Sequence, residues 1–123
     1  QDKHPQLTDI AGREMRPWGW FEVLFQEDRL KVKRITVKPH QKLSLQAHQH
    51  RSENWVLVSG QALVTCGDSV VKLEKNQSIF IPQGAKHRVE NATETPVEII
   101  EVQTGSYLGE DDIVRFDDDY GRA

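Results

Sequence analysis

The feature that most constrains the fold is a regular alternation of short, β-branched segments with turn residues. Two strands are predicted at 21–25 and 30–37, and no segment of useful length before residue 108 has the period of a helix. Many short strands joined by turns predict an all-β protein, either a sandwich or a barrel. The later predicted strands are 43–50, 53–58, 61–66, 69–74, 77–81, 86–91 and 97–103, punctuated by glycine, asparagine and proline.

The segment Leu30–Val37, LKVKRITV, has an irregular apolar pattern. Its apolar phase shifts between Val32 and Ile35. A strand whose inward residues change phase in this way is predicted to contain a bulge or to change its exposed face.

Two histidines, His48 and His50, stand two residues apart in a segment where apolar and polar residues alternate. Side chains of a strand point alternately to its two faces, so both imidazoles, with Gln46, are expected on one face. Imidazole nitrogens are good ligands for zinc, iron, nickel or copper. The pair therefore forms half of a candidate metal site.

Arg51 and Ser52 are predicted to form a two-residue hairpin turn directly after these histidines. In such a hairpin the flanking residues, here His50 and Glu53, face each other with Cβ atoms about 4.5–5.5 Å apart. The Glu53 carboxylate is thereby expected to join the histidines. Arg-Ser lacks the glycine or asparagine that tight hairpin turns favour, which counts against the turn.

A second motif, PQGAKHRVEN, is typical of a turn followed by a strand that opens with His87. The order HxH, Glu53, six residues and Gly60, followed by PxGxxHxxxN, resembles the two motifs of the cupin superfamily. In addition, LSLQAHQHRSENWVLVSG, IPQGAKHRVEN and EIIEVQTGSYLGEDDIVRFDDDYGR are similar to the C-terminal domain of type II phosphomannose isomerases. The similarity extends from about Arg16 to Arg122, nearly the whole chain.

This resemblance implies a cupin-type small β-barrel, also called a double-stranded β-helix or jelly roll, with a site in its mouth. We expect one domain, with an N-terminal arm at 1–15, the barrel at 16–107 and a C-terminal tail at 108–123. The implied activity is metal-dependent isomerisation of mannose 6-phosphate and fructose 6-phosphate. A divalent metal is implied, with zinc as first candidate and manganese, cobalt, nickel or iron as alternatives; its implied ligands are His48, His50, Glu53 and His87.

Several neighbouring residues are candidates for catalysis or substrate binding. Gln46 either lines the pocket or contributes to a Gln-x-His ligand pair of the kind that some type I isomerases use. Glu53 either binds the metal or serves as the catalytic base. Arg51 matches an arginine of the family pattern QMHHHRAEHW, which makes it a candidate for catalysis and for a phosphate or sugar contact, with a solvated charge in a turn as the alternative. Lys86 and Arg122 are further candidate substrate contacts, with a solvated surface charge and a surface ion pair as their respective alternatives.

Three positions depart from the family pattern, since His40 stands in place of glycine and Gln49 and Asn54 stand in place of histidines. If either lost histidine takes part in catalysis, the chain binds sugar without converting it. The alternative function is a non-catalytic sugar-phosphate-binding or regulatory cupin that works with a separate guanylyltransferase. A third hypothesis is an oxygen-using metal enzyme, because cupin sites also host iron dioxygenases; the tail resemblance argues against it. Guanylyltransferase activity is excluded for this chain, since no glycine-rich nucleotide loop is present.

Composition limits the class of partner and the compartment. The formal net charge is −3, so neither strong nucleic-acid binding nor binding to anionic membranes is expected. Cys66 is the only cysteine, which rules out an intrachain disulfide and fits a reducing cytoplasm. No segment resembles a signal peptide or a membrane-spanning helix. A cytoplasmic homodimer that binds a sugar phosphate is the expectation, since cupin barrels often pair.

Overall fold

The structure, a computed structural model, describes residues 12–117. Strands and their connections make up nearly all of this region. No helix in this range is long and apolar enough to cross a bilayer. The strands are β1 (Arg13–Arg16), β2 (Gly19–Glu27), β3 (Leu30–Val37), β4 (Leu45–Ala47), β5 (Arg51–Ser59), β6 (Ala62–Cys66), β7 (Ser69–Leu73), β8 (Ser78–Ile81), β9 (His87–Glu90), β10 (Val97–Gly105) and β11 (Val114–Asp117).

The strands form two antiparallel sheets that enclose one hydrophobic core. One sheet has the order β1-β2-β3-β10-β5-β8 and the other the order β11-β4-β9-β6-β7. Alternate residues of the central strands point inward, as in β5 and β10, where buried and more exposed positions follow each other. The all-β prediction is confirmed. Core side chains come from both sheets and include Phe21, Ile35, Trp55, Leu57, Val64, Val89 and Ile99.

The tight hairpin predicted at Arg51 and Ser52 is wrong. β4 ends at Ala47 and β5 begins at Arg51, and the two strands lie in different sheets without pairing with each other. Arg51 pairs instead with Gly105 of β10. The approach is so close that a Cβ at Gly105 would lie 2.1 Å from the backbone oxygen of His50. The histidine segment, residues 48–50, therefore crosses from one sheet to the other. It is held in place by β10, a strand that is distant in sequence.

The bulge predicted within Leu30–Val37 is also wrong. β3 keeps one inward face, on which Lys31 and Lys33 are buried in line with the apolar residues at its end. The register shift lies in the neighbouring strand β2, where Leu24 is the extra residue. The apolar pattern changes phase in the sequence because two of the inward positions are lysines.

The first and last described strands extend the sheets at residues predicted to be an arm and a tail. β1, within the predicted arm and the turn that follows it, pairs with β2. β11 pairs with β4, with Arg115 opposite Gln46. Within the predicted tail, β11 forms an edge strand of its sheet. This pairing places residues 114–117 beside the histidine segment.

Candidate metal centre

Three buried side chains from different elements converge where the two sheets meet. His48 follows β4, Glu53 lies on β5 and His87 opens β9. Their candidate ligand atoms all lie within 4.8 Å of one another. His48 Nε2 is 3.4 Å from Glu53 Oε2, and His87 Nε2 is 3.7 Å from Glu53 Oε1. The two imidazoles therefore flank one carboxylate.

Both imidazole rings are oriented by a backbone carbonyl at Nδ1. His48 Nδ1 lies 2.6 Å from the Asp112 oxygen, and His87 Nδ1 lies 3.0 Å from the Ala85 oxygen. A carbonyl oxygen can only accept a hydrogen bond, so each Nδ1 carries the hydrogen and each Nε2 presents a lone pair to the cluster. This is the orientation that metal-bound histidines adopt.

Arg51, expected to lie in a turn, is buried with its guanidinium against the cluster. Its Nε donates to Glu53 Oε2 at 2.8 Å, and its Nη2 donates to His48 Nε2 at 3.1 Å. Trp55 Nε1 donates to the other oxygen of Glu53 at 2.9 Å. A cation thus already lies against the donor atoms. Because a nitrogen lone pair takes one partner, this hydrogen bond and a metal bond at His48 Nε2 exclude each other.

Burial keeps both imidazoles neutral. The pKa of His48 is lowered to about 4, first by burial and then by the charge of Arg51. Burial likewise lowers the pKa of His87. Both rings are therefore uncharged near neutral pH, which is the state in which imidazole binds a metal.

The metal-free protein is expected to lose stability as the pH falls from about 6.5 towards 4. In the unfolded chain His48 takes a proton at its ordinary pKa of 6.5, whereas in the fold it does so only near 4. Between these values the unfolded state binds more protons, so the free energy of unfolding decreases with decreasing pH. Urea denaturation of the chelator-treated protein across this range measures the slope.

His48→Gln should flatten that acid-side slope, because a residue that takes no proton replaces a titrating one. His40→Gln is the matched control, since His40 is exposed and lies outside the cluster. Equal slopes in wild type and His48→Gln would contradict the expectation.

Glu101, which is absent from the predicted site residues, is a second buried carboxyl beside this cluster. Burial first, and then the charge and hydrogen bond of Glu53, raise its pKa to about 8. Gln103 Nε2 donates to it at 3.1 Å. Both polar residues continue the inward row of Val97 and Ile99 on β10. A charged residue in the inward phase of a core strand was the signal in the sequence.

Of the predicted metal ligands, His50 is the one that the structure leaves outside the cluster. Its side chain is 54% exposed, and its Nδ1 lies 3.3 Å from Asp112 Oδ1. Its expected position opposite Glu53 depended on the hairpin that does not form. Gln46, by contrast, lines the same cavity as His48 and Glu53. The Gln46 amide donates to Ser44 through Nε2, so the atom that this bond does not use is Oε1.

The predicted substrate contacts differ in their positions. Arg51 lies in the cavity, as described above. Lys86 is exposed and is not among the residues that line the cavity; its Nζ lies 4.3 Å from the ring centroid of Phe116. Arg122 lies outside the described residues. Of the two that the structure describes, Arg51 alone is placed against the candidate metal ligands.

A loop between β10 and β11, residues 106–113, borders the cavity and is called the strap below. Its Asp112 carboxylate accepts hydrogen bonds from the backbone N–H groups of Gln49 and His50, at 3.0 and 2.9 Å. Burial acts to raise the pKa of this carboxyl, but the two donors more than offset it, and the pKa is lowered. The backbone oxygen of Asp112 also accepts a hydrogen bond from His48 Nδ1. One residue therefore fixes both ends of the histidine segment.

Asp112→Ala is expected to lower the free energy of unfolding by about 1–3 kcal/mol, because two charge-assisted hydrogen bonds are lost. Metal affinity should fall roughly tenfold, since the strap that orients His48 is loosened. Urea denaturation and zinc calorimetry measure the two effects. The control is Asp111→Ala, at an exposed neighbour whose carboxylate contacts Tyr107. Equal losses in both variants would refute a specific role for Asp112.

The cavity beside the cluster is rich in charge. Three acidic residues line it, namely Glu53, Glu101 and Glu110, against five basic ones. Even with every carboxyl ionised, the basic side chains are in excess, which suits an anionic ligand. The basic residues are Arg16, Lys33, Arg51, Arg88 and Arg115.

Comparison with known sequences decides the family. Residues 3–118 match the sequence model of the mannose-6-phosphate isomerase C-terminal family. The chain belongs to this family. The predicted resemblance to the C-terminal domain of phosphomannose isomerases is thereby confirmed.

Relatives of this mannose-6-phosphate isomerase C-terminal domain are much longer proteins. The xanthan biosynthesis protein XanB of Xanthomonas campestris pv. campestris (strain B100) is 59% identical over 108 residues, which cover 88% of this chain and 23% of XanB. The mannose-1-phosphate guanylyltransferase ManC of Salmonella typhimurium (strain LT2) is 53% identical over 108 residues, covering 88% and 22%. The domain thus spans less than a quarter of these relatives.

Solved structures confirm the predicted cupin-type barrel. A conserved protein with a double-stranded β-helix domain from Klebsiella pneumoniae subsp. pneumoniae superposes with a TM-score of 0.73 at 19% identity. The match covers 88% of this chain and 92% of that one. At this identity the likeness concerns the fold, which is the double-stranded β-helix expected from the sequence.

Proposed function

We propose that this domain is a metal-dependent aldose–ketose isomerase that interconverts mannose 6-phosphate and fructose 6-phosphate. The observation that carries the proposal is the buried His48–Glu53–His87 cluster, whose two imidazoles present unprotonated Nε2 atoms to a positively charged cavity. Membership of the isomerase C-terminal family supports the choice of reaction and substrate.

The donor set fits a divalent metal. Two neutral imidazoles and one carboxylate are ligands that zinc binds well, with manganese, cobalt, nickel and iron as alternatives. His48, Glu53 and His87 would hold the ion, and Gln46 is the additional protein ligand that we propose, through Oε1. When bound, the metal would act as a Lewis acid on the substrate oxygens at C1 and C2.

The reaction requires a proton to move between C2 and C1, and we assign that transfer to Glu101. Glu53 is not available as the base while it serves as a ligand. Glu101 lines the same cavity, and its pKa of about 8 suits proton transfer near neutral pH. Arg51 must leave His48 Nε2 when a metal binds, and its guanidinium then provides positive charge to the cavity for the developing negative charge of the substrate.

The test is a coupled assay for fructose 6-phosphate formation from mannose 6-phosphate. Metal-free protein is supplied with zinc, manganese, cobalt, nickel and iron in turn, beside His48→Ala and the exposed control His40→Ala. Turnover that a metal restores in wild type and in His40→Ala, but not in His48→Ala, is the expected result. One bound metal equivalent without turnover of this substrate would reject the proposal.

A second candidate function is a non-catalytic sugar-phosphate-binding or regulatory domain that works with a separate guanylyltransferase. It is favoured by the departures from the family pattern at Gln49 and Asn54. Both residues are exposed, however, and neither lines the cavity. Because the departures leave the candidate ligands unchanged, isomerase activity is the preferred proposal. Calorimetry with mannose 6-phosphate, under conditions without turnover, tests the second.

A further inference from the structure

Two buried lysines of β3 meet the strap at a single carboxylate. Lys33 Nζ lies 2.6 Å from Glu110 Oε2, and Lys31 Nζ lies 3.3 Å from the same oxygen. Lys31 also donates to the backbone oxygen of Leu108 at 2.8 Å. Lys31 is therefore fixed to the strap backbone, whereas Glu110 is the hydrogen-bonding partner that the structure shows for Lys33.

The members of this cluster differ sharply in exposure. The side chains of Lys31 and Lys33 are 6% and 5% exposed, whereas that of Glu110 is 44% exposed. A buried ammonium without an anionic partner is costly, so Lys31 and Lys33 of β3 require a negative charge beside them. The carboxylate that provides this charge is Glu110, which lies in the strap and is partly exposed to solvent. It can exchange for another anion without leaving its own charge buried.

Lys33 also faces the cavity rather than the protein surface. Its Nζ lies 4.0 Å from the ring centroid of Phe21, and the guanidinium of Arg16 lies 5.0 Å from the same ring. Lys33, Arg16, Phe21 and Glu110 all line the cavity that contains the candidate metal ligands. Lys33 is also the register partner of Glu101 on β10.

We propose that Lys33, assisted by Arg16, is the subsite for a phosphate monoester in this cavity, and that Glu110 occupies the subsite until such an anion displaces it. The assignment rests on the proposed function, because the group to be bound is the phosphate of the proposed sugar substrate. It replaces Lys86, which is exposed and outside the cavity, as the principal lysine contact.

The experiment is calorimetric titration of the metal-free protein with inorganic phosphate. Wild type should bind phosphate. Glu110→Gln should bind it roughly tenfold more tightly, because the competing charge is removed, and Lys33→Met roughly tenfold more weakly, because a charge-assisted hydrogen bond is lost. Glu94→Gln and Lys72→Met, at exposed positions, are the matched controls and should leave the affinity unchanged.

Equal phosphate affinity in wild type and Lys33→Met would overturn the assignment, as would weaker binding by Glu110→Gln. If Lys33→Met does not fold, Glu110→Gln still decides the question, because thermal stabilisation by phosphate should be larger in it than in wild type. The titration requires neither a metal nor turnover. Phosphate binding with these effects but no isomerisation would reject the proposed function alone, and isomerisation without them would reject the subsite alone.

Discussion

Replacement of Glu53 by glutamine is expected to lower isomerase turnover roughly a thousandfold. Glu53 supplies the negative charge between His48 and His87, and metal-assisted charge stabilisation contributes several kcal/mol, where about 1.4 kcal/mol corresponds to a factor of ten in rate. Glutamine has the same shape but cannot replace the contacts. Its NH2 group would have to face either Arg51 Nε or Trp55 Nε1, both of which are donors.

Two measurements check this expectation. The coupled assay with saturating metal gives the turnover, and calorimetry gives the metal affinity, which should fall by at least about a hundredfold with the lost ligand. Glu74→Gln, at an exposed glutamate that is not among the residues lining the cavity, is the control. Full turnover with normal metal affinity in Glu53→Gln would show that Glu53 does not serve as a ligand.

Arg51→Met is expected to destabilise the metal-free protein by about 3 kcal/mol. Removal of one member of a buried ion pair leaves the other charge uncompensated, here the carboxylate of Glu53. A bound metal supplies positive charge to the same carboxylate, so the loss should be much smaller at saturating zinc. Metal affinity should rise in this variant, because the guanidinium no longer competes for His48 Nε2.

Urea denaturation with and without zinc separates these effects. Arg88→Met is the matched control, because Arg88 lines the same cavity but forms its ion pair with Asp117 rather than with a candidate ligand. Its effect on stability should be the same in both conditions. A zinc-independent loss in Arg51→Met, with unchanged zinc affinity, would contradict competition between guanidinium and metal.

Strand periodicity and motif order predicted the all-β fold and the residues His48, Glu53 and His87, but not the way in which they meet. The alternation of side chains is a local property of the chain, and it placed most strands well. The crossing at His50 depends on the pairing of Arg51 with Gly105, a contact between residues far apart in sequence. Local turn preferences carry no information on such a pairing, so a hairpin was expected.

The buried charges were missed for a different reason. A pattern of apolar and polar residues is interpreted on the assumption that charged side chains face water. Lys31, Lys33 and Glu101 point inward, and their burial is tolerated because partners come from other elements. The partner of Lys33 is Glu110, 77 residues away in sequence. Only the assembled barrel brings this acid to those lysines.

The atoms that hold the two imidazoles have a consequence for how this site can diverge. Both acceptors, at Asp112 and Ala85, are backbone oxygens, which every amino acid possesses. A point substitution can therefore change the orientation of the His48 or His87 ring only indirectly, by shifting the loop that carries the accepting backbone oxygen. Insertions and deletions in these two loops move the acceptors themselves. Loop length, rather than residue identity, is thus the variable through which descendants or engineered variants of this domain would gain or lose a correctly oriented histidine pair.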